Sequence, residues 1–285
     1  MKACIRFLKK QPLLTGLICL VLSVVTVRLI DTYGGLSPKG MVIRMMLTVE
    51  CAAFLYLISR EKVFEHADNQ TGYAVRKLSR LLILTAAMGA LGLAQAVKDP
   101  LAENLPVRLA YSLTELLFVG LFEELCFRAV LNDALLYQFR EKKGIFVWIA
   151  VLSSLIFGAV HVLGSDIGTG IALAQAVLKT IATALFGFAL LIVYWKTHNI
   201  WACALIHAMD DFLLSVPEIV FRSSAPVEER QYVLEGVMQA GDEAFDIGFI
   251  AVGTYILQIL FGVVIVLSLR KVLRSIDFEQ IRREW

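Results

Sequence analysis

The stretch LAYSLTELLFVGLFEELCFRAVLNDALLYQ, residues 109–138, decides how this sequence folds. It is apolar enough to cross a lipid bilayer as a helix, since a span of about 20 mainly apolar residues covers the hydrocarbon. Yet its interior holds the acidic pair Glu123-Glu124 and the cation Arg128. Each such group costs about 2.5–3.5 kcal/mol on insertion scales, so we expect these side chains to face the protein interior and to have a task.

The apolar character extends over the whole sequence. Of its 285 residues, 58% are hydrophobic and only 18% are charged, with a mean hydropathy of +0.73. About a quarter of a soluble domain is charged, so the sequence indicates a membrane protein. It predicts an all-α, polytopic membrane protein with about eight transmembrane helices, at about 13–30, 41–59, 79–97, 109–138, 146–164, 170–195, 200–216 and 247–269.

Lysine and arginine are concentrated in the N-terminal stretch, in the loops after the second and fourth predicted spans and in the C-terminal tail. Such a bias marks the cytoplasmic side, so both termini are predicted to be cytoplasmic. The net charge of +2 does not argue for a nucleic-acid partner. No internal repeat stands out, and residues 1–285 are interpreted as a single integral membrane domain whose motif-bearing core covers about 109–216.

Helical spacing sorts the charged residues of this core. Glu124 and Arg128 are four residues apart, so they share a helix face and are predicted to pair. Glu123 lies about 100° round the same helix and has no local partner. His207 and Asp211 are also four apart, which predicts a hydrogen-bonded pair that orients the imidazole.

Depth in the membrane connects Glu123 with His161. Each lies about 16 residues from the basic loop between the fourth and fifth spans, so the two side chains are predicted to meet at matched depth. A lone intramembrane histidine can instead be a structural hydrogen-bond donor, and an acid–arginine pair can simply join two helical turns. A structural role is preferred for four other ionisable residues in predicted spans: Arg44, Glu50, Glu115 and Lys179.

The five cysteines are Cys4, Cys19, Cys51, Cys126 and Cys203, and none are spaced as CxxC. Four lie in predicted spans, so buried thiols are predicted rather than a disulfide framework or a zinc cluster.

Three short motifs follow one another on the predicted spans. Glu123-Glu124-Leu125-Cys126-Phe127-Arg128 fits EExxxR, Phe157-Gly158-Ala159-Val160-His161 fits FxxxH, and His207-Ala208-Met209-Asp210-Asp211 fits HxxxN/D. In this order they resemble the CPBP family of intramembrane proteases. That family comprises the type II CAAX prenyl endopeptidases and the bacterial Abi, or bacteriocin-processing, relatives. The motifs cover about 90 residues, and the family's fold also implies eight helices.

The resemblance implies a glutamate-type, metal-independent intramembrane endopeptidase without a cofactor. Glu123 and His161 would activate a water, and His207, oriented by Asp211, would stabilise the oxyanion. Glu124 and Arg128 would hold their helix in place. The substrate would be a membrane-associated protein or peptide, and the expected location is the bacterial cell membrane, as an integral, multi-pass protein.

Other functions stay open on the sequence alone. A zinc ion on Glu123, His161 and His207 would make a metallopeptidase, because one Glu and two His are a familiar zinc set. The same residues could serve a proton-coupled transporter, or remain in a non-catalytic immunity or scaffold protein. The sequence contains no HExxH, GxSxG or GxGD, which counts against zincin-like, rhomboid-like and presenilin-like proteases.

Overall fold

We describe a computed structural model of the chain, covering residues 6–8, 10–31, 38–58, 61–66, 70–97, 99–139, 141–142, 144–165, 167–221 and 242–283. Over these ranges the regular structure is helical, apart from one isolated antiparallel bridge between Leu101 and Phe221. The prediction of an all-α protein is confirmed.

The helices are numbered here in chain order. They are α1 Pro12–Asp31, α2 Pro38–Leu57, a 3₁₀ helix Glu61–His66, α3 Thr71–Ala96, α4 Leu105–Glu124, a π-helix Leu125–Asn132, α5 Asp133–Phe139, α6 Ile145–Val160, α7 Gly170–Thr197, α8 Ile200–Val220, α9 Asp242–Ser268, α10 Arg270–Arg274 and α11 Phe278–Arg283.

These bounds agree with the predicted spans. Among the described residues, 6 helical stretches are long and apolar enough to cross a membrane, and the shorter apolar stretches are Pro12–Val27 and Ile145–Val160. Large apolar side chains face outward on several helices; Trp148 of α6, for example, is 71% exposed. An apolar outer surface suits lipid rather than water. The chain is an integral, multi-pass membrane protein, while the count of eight spans and the side of the termini remain predictions.

Residues 109–138 lie within one continuous helix of 35 residues, Leu105–Phe139. Its centre is not regular, because Leu125–Asn132 forms a π-helix directly after Glu124, and all eight residues of this segment are buried. A π-helix is wider than an α-helix and is frequently found at functional sites. The acidic pair therefore lies where the helix changes its geometry.

Two close helix contacts position the helices that carry the motifs. The first joins α4 to α8, which also packs against α3. A Cβ atom on Gly120 of α4 would lie 2.6 Å from the carbonyl oxygen of Ala204 of α8, so glycine allows the two backbones to approach closely. The second joins α6 to α7, where a Cβ atom on Gly158 would collide with the carbonyl oxygen of Thr180.

The first two helices complete the enclosure of the irregular segment. Both α1 and α2 pack against the π-helix, and α2 also packs against α4. The second half of α7 packs its buried residues against the same core. The residues that follow Glu124 are thus surrounded by protein rather than by lipid.

Candidate active site

Glu124 is at the centre of the buried part of the site. Its Oε1 atom accepts a hydrogen bond of 2.7 Å from Nδ1 of His207, and its Oε2 atom lies 3.1 Å from Nε of Arg128. The predicted pairing of Glu124 with Arg128 is therefore present, and the bond to His207 is an additional one. None of these three side chains is more than 4% exposed. We call Glu124, Arg128 and His207 the inner group.

Arg128 has further contacts that hold its guanidinium. Its central carbon lies 4.3 Å from the centroid of the Phe157 ring, and Nη2 donates to the carbonyl oxygen of Gly187 at 3.4 Å. A Cβ atom on Gly187 would lie 2.8 Å from Cδ1 of Phe157 and 3.3 Å from Nη2 of Arg128. The absence of a side chain at residue 187 therefore makes room for the arginine and the aromatic ring together.

Glu123, His161 and Asp211 are partly open to the exterior, with side chains 18%, 28% and 31% exposed. We call these residues the outer group. Oε2 of Glu123 lies 3.4 Å from Nε2 of His161 and 3.6 Å from Nε2 of His207. The prediction that Glu123 and His161 meet is confirmed. Glu123 thus faces one imidazole of each group.

His161 is held by the end of its own helix. It follows Val160, the last residue of α6, and its Nδ1 atom lies 2.7 Å from the carbonyl oxygen of Phe157. Because a carbonyl oxygen can only accept, Nδ1 carries the hydrogen of this bond. In the neutral imidazole Nε2 is then the acceptor, and this atom is the one that faces Glu123.

The structure corrects the predicted partner of His207. Asp211 is one turn away on α8, but its Oδ2 atom is 3.7 Å from Nε2 of His207, too far for a hydrogen bond. The spacing of four residues does place both on one face. However, Glu124 of α4 already occupies Nδ1, so Glu124 orients the ring and Asp211 faces its other nitrogen.

Phe157 also belongs to the site, although helical spacing did not predict a role for it. Its side chain is 1% exposed, and its ring makes edge contacts with Phe127, His161 and His207 at centroid distances of 4.9, 4.6 and 6.0 Å. The guanidinium of Arg128 also lies over the same ring in a cation–π contact. Its place four residues before His161 is the signal in the sequence, because residues at this spacing share a helix face.

Two other pairs of polar side chains join neighbouring helices. Arg44 of α2 forms an ion pair with Glu115 of α4, whose side chain is fully buried. Thr85 of α3 donates a hydrogen bond of 2.5 Å to Oδ1 of Asp210 of α8. The first pair fits the structural role that the sequence favoured for these two residues.

The site can therefore supply both a proton acceptor and a proton donor to a molecule bound beside Glu123. A carboxylate and an imidazole acceptor, Glu123 and His161, lie at the open edge and can take a proton from a water. His207 lies behind them with Nε2 directed to the same place, where it can donate when its ring carries both protons.

Comparison with known proteins agrees with the motifs. Residues 105–213 match the family described as type II CAAX prenyl endopeptidase Rce1-like. No curated protein and no solved structure matches the chain. The matched range begins with α4 and ends within α8, so it includes all six residues of the inner and outer groups. It confirms the family resemblance and supports an intramembrane protease of the CAAX type in general.

Proposed function

We propose that this protein hydrolyses a peptide bond of a membrane-associated protein or peptide by means of a water that Glu123 and His161 activate. The observation that carries the proposal is the position of Glu123, 3.4 Å from Nε2 of His161 and 3.6 Å from Nε2 of His207, at the open edge of a buried polar group. The family match over residues 105–213 supports the general class of reaction.

In the first step the water loses a proton to the Glu123 carboxylate as its oxygen attacks the scissile carbonyl carbon. His161 stabilises this step, because its Nδ1–H is bound to Phe157 and its Nε2 can accept a hydrogen bond from the same water. In the second step the C–N bond breaks, and the proton on Glu123 passes to the leaving amine. The cycle needs no covalent intermediate.

His207 is proposed to stabilise the tetrahedral oxyanion. Its Nδ1–H is directed to Glu124, so only Nε2 can reach a substrate, and it can donate there only as an imidazolium. The carboxylates of Glu124, Glu123 and Asp211 around the ring favour that charged form. We propose that Asp211 acts through its charge rather than as the hydrogen-bonded partner that the spacing of four residues predicted.

We further propose that this chemistry requires no metal. The imidazole nitrogens of His161 and His207, together with Glu123, could also bind zinc, and that arrangement would give a metallopeptidase. The two mechanisms differ in their response to a chelator, which removes zinc but leaves the side chains unchanged.

The test compares the membrane peptides of cells that express the wild type, Glu123→Gln or Glu50→Gln. Gln keeps the shape of Glu and removes the base, so the Glu123 variant should accumulate an uncleaved precursor while remaining inserted and folded. Glu50 of α2 is the matched control, because it is another intramembrane glutamate outside the inner and outer groups. Its variant should process the precursor normally.

Normal processing by Glu123→Gln would overturn the proposal. The transporter alternative would replace it if proteoliposomes showed a pH-driven flux that Glu123→Gln abolishes while the peptide profile stays unchanged.

A further inference from the structure

Three buried cysteines meet in a part of the molecule that the proposed function does not use. Cys19 of α1, Cys51 of α2 and Cys126 of the π-helix have sulfur atoms that all lie within 4.8 Å of one another. The Sγ atoms of Cys19 and Cys51 are 3.9 Å apart. The three residues are at most 1% exposed, and all are free thiols. The sequence predicted buried thiols, but not that these three converge.

We propose that this cysteine cluster binds Cu(I), a soft, thiophilic ion, through its three sulfur atoms. Three sulfurs at about 2.3 Å from a central ion in a trigonal plane are roughly 4.0 Å apart. The separation of 3.9 Å between Cys19 and Cys51 fits this geometry without a rearrangement of either helix. Thiolates select Cu(I) over hard ions, which prefer oxygen ligands.

The surroundings favour a three-coordinate ion over zinc. Structural zinc takes four ligands, and no nitrogen of a histidine or oxygen of a carboxylate within the part of the chain that the structure describes joins the three sulfurs at this distance. The complete burial of the cluster also separates it from bulk water that could supply a fourth ligand.

A fourth polar side chain lies beside the sulfurs. Ser23 is one turn beyond Cys19 on α1, next to Cys19 and Cys126, and its hydroxyl oxygen is buried without a hydrogen-bond partner. This hydroxyl can donate to a thiolate. Binding of Cu(I) must displace the thiol protons, because the thiolate is the form that binds a metal, so three thiolates around one Cu(I) carry a net charge of −2. A hydrogen bond from the Ser23 hydroxyl to one of the sulfurs would offset part of the cost of burying that charge.

Because of where the cluster lies, a bound ion would affect the stability of the fold. Cys126 is the second residue after Glu124, and the other two cysteines are on the helices that enclose the π-helix. A bound ion would therefore connect α1 and α2 directly to the segment that follows the acidic pair. Cu(I) should raise the temperature at which the wild-type protein unfolds.

The experiment uses the purified full chain in detergent, reduced and kept anaerobic, with Cys4 replaced by Ser because residue 4 lies outside the described residues. Cu(I) is titrated against a chromophoric Cu(I) chelator. We expect one Cu(I) per chain, an X-ray absorption signal of sulfur neighbours at about 2.3 Å and a higher unfolding temperature.

Cys19→Ser, Cys51→Ser and Cys126→Ser should each weaken binding by about tenfold or more, since each removes a ligand. Cys203→Ser is the matched control, because Cys203 is equally buried but donates to the carbonyl oxygen of Leu190 outside the cluster. Its affinity for Cu(I) should equal that of the parent protein. Where a serine variant fails to fold, the alanine variant at the same position replaces it.

The proposal is overturned if the parent protein binds Cu(I) no more tightly than a variant lacking all three cysteines, or if Cys203→Ser weakens binding as much as the others do. Tighter binding of Zn(II) than of Cu(I) would contradict the assigned ion. Recovery of a Cys19–Cys51 disulfide, with no ion bound under reducing conditions, would identify a redox pair instead. These measurements are independent of the peptidase activity.

Discussion

The inner and outer groups contain the same kinds of side chain in different surroundings. Each has a glutamate and a histidine, and Glu123 and Glu124 are neighbours in the sequence. Glu124 is fully buried and has two partners, whereas Glu123 is 18% exposed and has a buried oxygen without a hydrogen bond. In the proposed mechanism this difference separates the roles of the two glutamates: Glu124 holds Arg128 and His207 in position, and Glu123 exchanges protons with the reacting water.

Substitutions in the two groups are expected to differ in whether they lower stability as well as activity. Changes in the inner group should reduce stability and activity together. Changes in the outer group should reduce activity alone.

Glu124→Gln should have the largest effect. It leaves the charge of Arg128 buried without its partner, which costs about 3–5 kcal/mol. The unfolding temperature in detergent should fall and cleavage should be lost. The double variant Glu124→Gln, Arg128→Met removes both charges and should recover much of the stability without the activity. An unfolding temperature unchanged by the single variant would contradict the role given to the inner group.

His161→Asn should reduce the cleavage rate by about 10²–10⁴-fold, the usual contribution of a positioned acid–base group. The unfolding temperature should hardly change, because the side chain is 28% exposed and forms its bond within its own helix. His198→Asn is the matched control, because it lies at the end of α7 with a φ of 51°, a backbone conformation that Asn tolerates. Equal cleavage by both variants would remove His161 from the mechanism.

Asp211→Asn should have a small effect. A partly exposed charge 3.7 Å from Nε2 of His207 contributes about 1 kcal/mol or less, or roughly fivefold in rate. The resemblance also allows Asn as the last residue of this motif. A loss of activity as large as that of His161→Asn would show that Asp211 takes part directly in the reaction.

Treatment with EDTA should leave the cleavage rate unchanged, because the proposed base and oxyanion donor are side chains. Loss of activity that added Zn(II) restores would favour the zinc alternative on Glu123, His161 and His207. A parallel sample with the chelator already saturated by zinc controls for effects on the detergent and the substrate, because that chelator cannot remove zinc from the protein.

Much of the fold could be predicted from the sequence because it depends on local patterns. The lengths of the apolar stretches predicted where the helices lie, and the span expected at 109–138 is the helix Leu105–Phe139. Helical spacing predicted the pair Glu124–Arg128, and equal distances from one loop predicted that Glu123 and His161 meet. Each of these inferences needs only one helix, or two helices joined by a short loop.

The remaining contacts depend on how distant helices are rotated about their axes. The bond between Glu124 and His207 joins residues 83 positions apart, and the cysteine cluster draws on α1, α2 and the π-helix. Hydrophobic spacing does not fix such rotations. For His207 the sequence shows only neighbours within its own helix, so it assigned the orientation of His207 to Asp211 rather than to Glu124.

The most direct test of the proposed division measures Glu123→Gln and Glu124→Gln side by side. Both proteins are purified, and each is assayed for cleavage of the precursor identified in the membrane-peptide comparison and for thermal unfolding. We predict that Glu123→Gln loses cleavage and keeps the unfolding temperature of the wild type, whereas Glu124→Gln loses both. Cleavage by Glu123→Gln at the wild-type rate would contradict the proposal that this carboxylate activates the water.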